Sequence, residues 1–172
     1  MDNLAFFAFP GLVLLFGLSG ALISSKNIPT WYRMLEKPKL NPPNWIFGPV
    51  WTTLYLMIGY SGYLVWAQDR GFEKHYNAWV IFFLQLILNY AWTPIFFGLH
   101  WLFSSLLVIV FMAITIFANI ILFYTIQPTA GLLLVPYLVW VSFATYLTYS
   151  IWILNKDKMK AEGNAKKSLA EE

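Results

Sequence analysis

The chain has 172 residues, of which 59% are hydrophobic, 20% aromatic and only 11% charged, and its formal net charge is +3. Soluble domains hold roughly 25% charged residues, and here the charges are also segregated: none occurs from Leu40 to Gln68 or from His75 to Asn155. This excludes an ordinary soluble domain and points to an all-α integral membrane protein, while the absence of cysteine excludes disulfides, thiolate catalysis and Cys-based metal sites.

A membrane-spanning helix needs roughly 20 mostly apolar residues, and five such segments follow one another. The first, residues 4–25, has no basic n-region and no clear A-x-A-like cleavage site, so it reads as a retained helix. Its small residues Gly17 and Ala21, four apart, are the expected contact face of a homodimer. The run WYRMLEKPKLNPPNWIFGPVW, Trp31 to Trp51, leads into the second span and holds four of the nine prolines and three of the nine tryptophans. Lys37-Pro38 and Asn41-Pro42-Pro43 should be stiff extended turns, because proline fixes φ and removes a backbone donor. Trp31, Tyr32 and Trp45 suit the water–lipid boundary. The stretch is expected to be an ordered lid rather than a flexible linker.

The second span, residues 46–67, carries Pro49 in its first turn, where a missing N–H costs least. Trp51, Tyr55, Gly59, Gly62 and Trp66 share one of its faces, the glycines allowing close approach of a neighbour or a ligand. In the third span, residues 78–98, Gln85, Asn89, Trp92 and Phe96 align, and Pro94 predicts a kink near the end. The fourth, residues 102–125, is the least punctuated. The fifth, residues 131–154, has Pro136 near its start and aligns Tyr137, Trp140, Ala144 and Leu147, with Phe143 on the flank. The polar tail, residues 156–172, is expected to be disordered. Short connections imply antiparallel neighbours in a compact five-helix bundle. Nine basic residues fall in the first loop and tail against two, Arg70 and Lys74, on the other side. That bias places the first loop and the C-terminus in the cytosol. The basic residues form no groove motif, so nucleic acid is not an expected partner.

Three aromatic-rich faces with a few amide and hydroxyl groups would enclose a flat, mostly apolar molecule. The same Asn and Gln also serve, in many membrane helices, only as interhelical hydrogen bonds. No carboxylate falls within the spans, and His75 and His100 lie in connections on opposite sides, so neither a metal site nor a nucleophile–base pair is expected. An ion-coupled transporter would be expected to bury an ionisable residue, and none is present in the spans. Binding, passive transfer, and light- or aromatic-assisted chemistry on a bound pigment remain.

WYRMLEKPKLNPPNWIFGPVWTTLYLMIGYSGYLVW, then LNYAWTPIFFG (Leu88–Gly98) and PYLVWVSFATYLTY (Pro136–Tyr149), together resemble the translocator protein family, also called tryptophan-rich sensory protein or peripheral-type benzodiazepine receptor. GPVWTTLY followed by IGYSGYLVW looks more like its animal branch. The resemblance implies a five-helix bundle, often dimeric, with a cavity opening to the cytosolic side beneath the first loop. It implies porphyrins (protoporphyrin or haem), cholesterol and benzodiazepine-type or isoquinoline drugs as ligands. It also implies the mitochondrial outer membrane in a eukaryote or the cell membrane in a bacterium. Carried over by residue, the ligand site would comprise Tyr32, Pro42, Pro43, Trp51, Asn89, Trp92, Trp140, Phe143 and Ala144. Trp51 and Trp140 match the tryptophans associated with porphyrin breakdown in bacterial members, which leaves a porphyrin-degrading enzyme as the alternative to a carrier or sensor. A membrane scaffold holding structural lipid is a further alternative. The family's sterol motif departs here: Leu147 and Tyr149 are followed by Lys156 one residue too late, and Ile153 stands where the animal proteins carry Arg. Porphyrin is therefore favoured over cholesterol.

Overall fold

The structure, a computed structural model, describes residues 3–170, with side chains as far as Lys158. The described residues form helices and no strands. Helix α1 is Asn3–Asn27, α2 Phe47–Asp69, α3 Tyr76–Thr93, α4 Leu102–Ile126, α5 the short Pro128–Leu133, and α6 Val135–Ala170. Four stretches are long and apolar enough to cross a membrane: Asn3–Tyr32, Tyr76–Gly98, Leu102–Ile126 and Pro128–Lys158. Helix α2 is not among them, its Tyr, Trp, Thr and Gly residues diluting its hydropathy.

Helix α1 packs chiefly on α2, α2 on α5, α4 on α5 and α6, α3 on α4, and α1 again on α3. The helices thus close a ring. Glycine sets one of these approaches: a Cβ on Gly59 of α2 would collide with the Pro10 backbone of α1. The glycines of the α2 face therefore serve a neighbouring helix. Of the two residues expected on a dimer face, Gly17 is turned against the Tyr55 ring, where any Cβ would overlap the ring, while Ala21 is exposed.

Three boundaries differ from the sequence reading. First, α1 does not stop near Ser25 but runs on through a wide π-type turn, Ile28–Tyr32, so Trp31 and Tyr32 belong to a helix end. Pro29 offers no N–H, and the wider turn absorbs the missing bond. Pro94 opens a second π-type turn, Pro94–Gly98, in which the Leu99 N–H donates to the Pro94 carbonyl at 2.8 Å; this is the irregularity expected there. Second, the last span starts as a separate short helix. Gln127 caps α5 by accepting from the Ala130 N–H at 3.2 Å, Pro128 opens its first turn, and the break at Leu134 precedes Pro136. Third, α6 continues as helix to Ala170, across residues expected to be a disordered tail. Lys, Met, Ala and Glu dominate that stretch, and all are good helix formers. Residues 171–172 of that expectation lie outside the described residues.

Candidate functional site

A cavity of about 200 Å³ lies inside the ring. Gly17 and Ala21 of α1, Trp51 and Tyr55 of α2, Asn89 and Trp92 of α3, Ile109 and Met112 of α4, and Ala144, Leu147 and Thr148 of α6 wall it. Tyr32 and Asn44 close it at the loop end. The positions on α3 and α6 recur at helical spacing, so each helix contributes one stripe. Trp51 and Tyr55, four apart on α2, stack with centroids 5.4 Å apart.

Asn89 is the polar centre of this wall. Its Oδ1 accepts from the Tyr55 hydroxyl at 3.3 Å, and its Nδ2 donates to the Tyr137 hydroxyl at 2.8 Å. Tyr137, fully buried, passes its own proton toward Met112 Sδ at 3.4 Å. The amide is thereby held in one orientation. Trp92, stacked on Phe96 at 4.8 Å, has its buried indole N–H without a partner among the described residues. A buried unsatisfied donor is costly, so a polar atom in the cavity would relieve it.

Tyr32 separates the cavity from a second, outer void of about 530 Å³ beneath the connection 33–43. Ile28, Tyr32 and Asn44 line both; Arg33, Lys37, Asn41, Pro42 and Pro43 line the outer one alone. Two groups of bonds tie the connection down. The Tyr32 hydroxyl donates to Asn41 Oδ1 at 3.0 Å, and the Asn41 Nδ2 donates to the Pro42 carbonyl at 3.1 Å. At the other edge Asn155 of α6, almost fully buried, accepts the Glu36 N–H at 3.0 Å and donates to the Glu36 carbonyl at 2.9 Å. It bonds both backbone groups of one residue, the N–H and the carbonyl of Glu36, as a neighbouring β-strand would. The Lys37 ammonium sits 4.6 Å from the Tyr32 ring centre, and partial burial holds its pKa below the usual lysine range.

Of the residues expected at the site, Tyr32, Trp51, Asn89, Trp92 and Ala144 line the cavity, joined by Leu147. Pro42 and Pro43 line the outer void instead. Trp140 and Phe143 face elsewhere, in an apolar groove between α2 and α6 with Val50, Leu54 and Met57. The interior at that level of α6 is filled by Tyr137 and Val141, both fully buried, and the Trp140 ring rests against Phe47 at 5.8 Å. Trp51 and Trp140 therefore do not line one cavity. The sterol-motif candidates are likewise divided: Leu147 faces inward, Tyr149 is half exposed, and Lys156 is exposed. Residues two apart on a helix lie on nearly opposite sides. Asn155 and Asn41 escaped the sequence reading, because an Asn beside a lysine-rich tail or a Pro-Pro pair carries no periodic signal of its partner.

The sequence matches the TspO/MBR family over residues 9–153. It is 40% identical over 143 residues to the tryptophan-rich protein TspO of Archaeoglobus fulgidus, covering 83% of this chain and 92% of that protein. It is 42% identical over 123 residues to the translocator protein of Homo sapiens, covering 71% and 73%. Similarity to protein CrtK of Rhodobacter capsulatus is 38% over 139 residues, covering 81% and 85%. These archaeal, human and bacterial identities are so close that they do not favour an animal branch.

Proposed function

This chain belongs to the TspO/MBR family, and on that premise we propose that it is an integral membrane protein that carries or senses a flat, mostly apolar ligand of the porphyrin class. The ligand occupies the cavity around Asn89, and Phe47–Asp69 forms the fifth membrane crossing. The observation that carries this reading is an aromatic-walled cavity, deep in the helix ring, with one oriented amide and one unpartnered indole N–H. Pockets for drug-sized ligands run to ~300–1,000 Å³, so the cavity of about 200 Å³ is by itself too small. Joined to the outer void by a turn of the Tyr32 ring, it enters that range. The connection 33–43 is thus the gate, with Tyr32 as its inner leaf.

The excess of basic residues beside this gate and in the tail supports its facing the cytosol. A sterol is the lesser candidate, because Leu147 alone of its motif reaches the cavity. Protoporphyrin titrated into detergent-purified protein in the dark should quench tryptophan fluorescence saturably, at one site per chain. Unchanged pigment absorbance on illumination supports carriage or sensing. Absence of saturable quenching would refute the proposal, and bleaching dependent on Trp51 would convert it into a degradation reaction.

A further inference from the structure

Two buried amides in the contact of α3 with α4 are short of partners. Gln85 of α3 is 1% exposed, and neither its Oε1 nor its Nε2 is bonded among the described residues. Asn119 of α4 is fully buried; its Nδ2 donates to the Ala78 carbonyl at 3.2 Å, and its Oδ1 has no partner among the described residues. Burial without a hydrogen bond forfeits the hydration of each of these three atoms. The Asn119–Ala78 bond sets those two residues at one depth of the α3–α4 contact. Gln85 comes seven residues after Ala78, so it shares that face about 10 Å further along α3. Helical side chains lean toward the N-terminus of their own helix. Because α3 and α4 run antiparallel, the two amides lean toward each other along the seam. Phe82, between Ala78 and Gln85 in the chain, reaches instead to Gly62 of α2, where a Cβ would meet its ring.

We propose that the α3–α4 seam binds a water molecule between Gln85 and Asn119. The water accepts from Gln85 Nε2 and donates to Asn119 Oδ1, and its second proton remains for a further acceptor in the seam. Buried waters act in this way, with about three hydrogen bonds to polar groups that the protein leaves unsatisfied. Among the described residues the Asn119–Ala78 bond is the one side-chain hydrogen bond between α3 and α4, and the water adds a second tie. Asn89 follows Gln85 by one turn on α3, and Met112 precedes Asn119 by two on α4; both line the cavity. The bridge therefore fixes α3 against α4 directly beneath the cavity. It does not depend on which ligand the cavity takes.

The test reads water contact and stability on the full chain in deuterated detergent. Nuclear Overhauser spectra of the unaltered protein should show cross-peaks from water to the side-chain amide protons of Gln85 and Asn119, with the sign of a long-lived buried water. Gln85→Met, close in shape but unable to bond, should abolish the cross-peak at Asn119 and lower the melting temperature by about 2–4 °C. Combined with Asn119→Leu it should cost less than the two single losses added, because both remove the same bridge. A dry seam predicts the opposite sign, since Gln85→Met would then remove an unpaired amide and raise the melting temperature. Absence of both cross-peaks in the unaltered protein overturns the proposal, and that reading needs no variant to fold. A cross-peak at Asn119 that survives Gln85→Met also overturns it, as does a raised melting temperature.

Discussion

At the scale of single residues, Asn89 ties three helices, α2, α3 and α6, through one side-chain amide. It serves two tyrosine hydroxyls at once, and Tyr137 is fully buried. Asn89→Leu keeps the branched outline but leaves both hydroxyls short of a partner. Interhelical bonds of this kind are worth about 0.6–2 kcal/mol, and a buried unsatisfied group adds to the loss. Thermal unfolding in detergent should therefore show destabilisation of about 1–2 kcal/mol; unchanged stability would mean that the network contributes nothing. Asn89, Trp92 and Ala144 were legible as site residues because helical periodicity assigns a side chain to a stripe. Trp140 shares the approximate stripe of Ala144, yet its ring leaves the cavity. Periodicity fixes direction from the helix axis, not which neighbour has already filled the space at that depth. Here Tyr137 and Val141 fill it.

At the scale of elements, single substitutions test the contact of α1 with α2 and the anchoring of the connection 33–43. Gly59→Val would push a branched side chain into the Pro10 backbone. Overpacking of this kind costs about 1–3 kcal/mol, and unfolding of the variant in detergent measures it. One of the two anchors of the proposed gate is Asn155, whose amide holds both the N–H and the carbonyl of Glu36. Asn155→Leu should speed hydrogen exchange at the Glu36 amide and accelerate ligand dissociation severalfold. Lys158→Ala should do neither, because the Lys158–Glu36 pair is exposed and such pairs contribute little. Four of the five expected spans coincide with stretches long and apolar enough to cross a membrane, and the remaining one, α2, is helical but more polar. Their ends were less legible, since a proline announces an interruption without saying whether the chain will end, kink or widen into a π-type turn. At Pro29 and Pro94 it widens, and that choice carries Tyr32 to the mouth of the cavity.

At the scale of the whole molecule, polarity is arranged opposite to that of a soluble protein. Ser61, Gln85, Asn89 and Asn119 are buried, while Phe7, Leu15, Phe111, Ile114 and Phe117 are exposed. An exterior so apolar is at home against lipid, and Ser61, Asn89 and Asn119 each bond one helix to another where burial of apolar surface does not hold them together. Composition disclosed this membrane character. The division of the interior into a small aromatic cavity, a cationic outer void and a separate lipid-side groove was not legible, because it depends on how five helix faces meet. Ala144 lines the cavity and Trp140 lines the groove, which makes the pair the most direct test of where the ligand sits. Protoporphyrin affinity should be measured in the dark, by quenching of tryptophan fluorescence, for the unaltered protein, Ala144→Trp and Trp140→Phe. A cavity site predicts at least roughly tenfold weaker binding for Ala144→Trp, equivalent to ~1.4 kcal/mol, with Trp140→Phe binding as the unaltered protein does. Full affinity in Ala144→Trp, with loss in Trp140→Phe, would place the ligand in the outer groove and contradict the account.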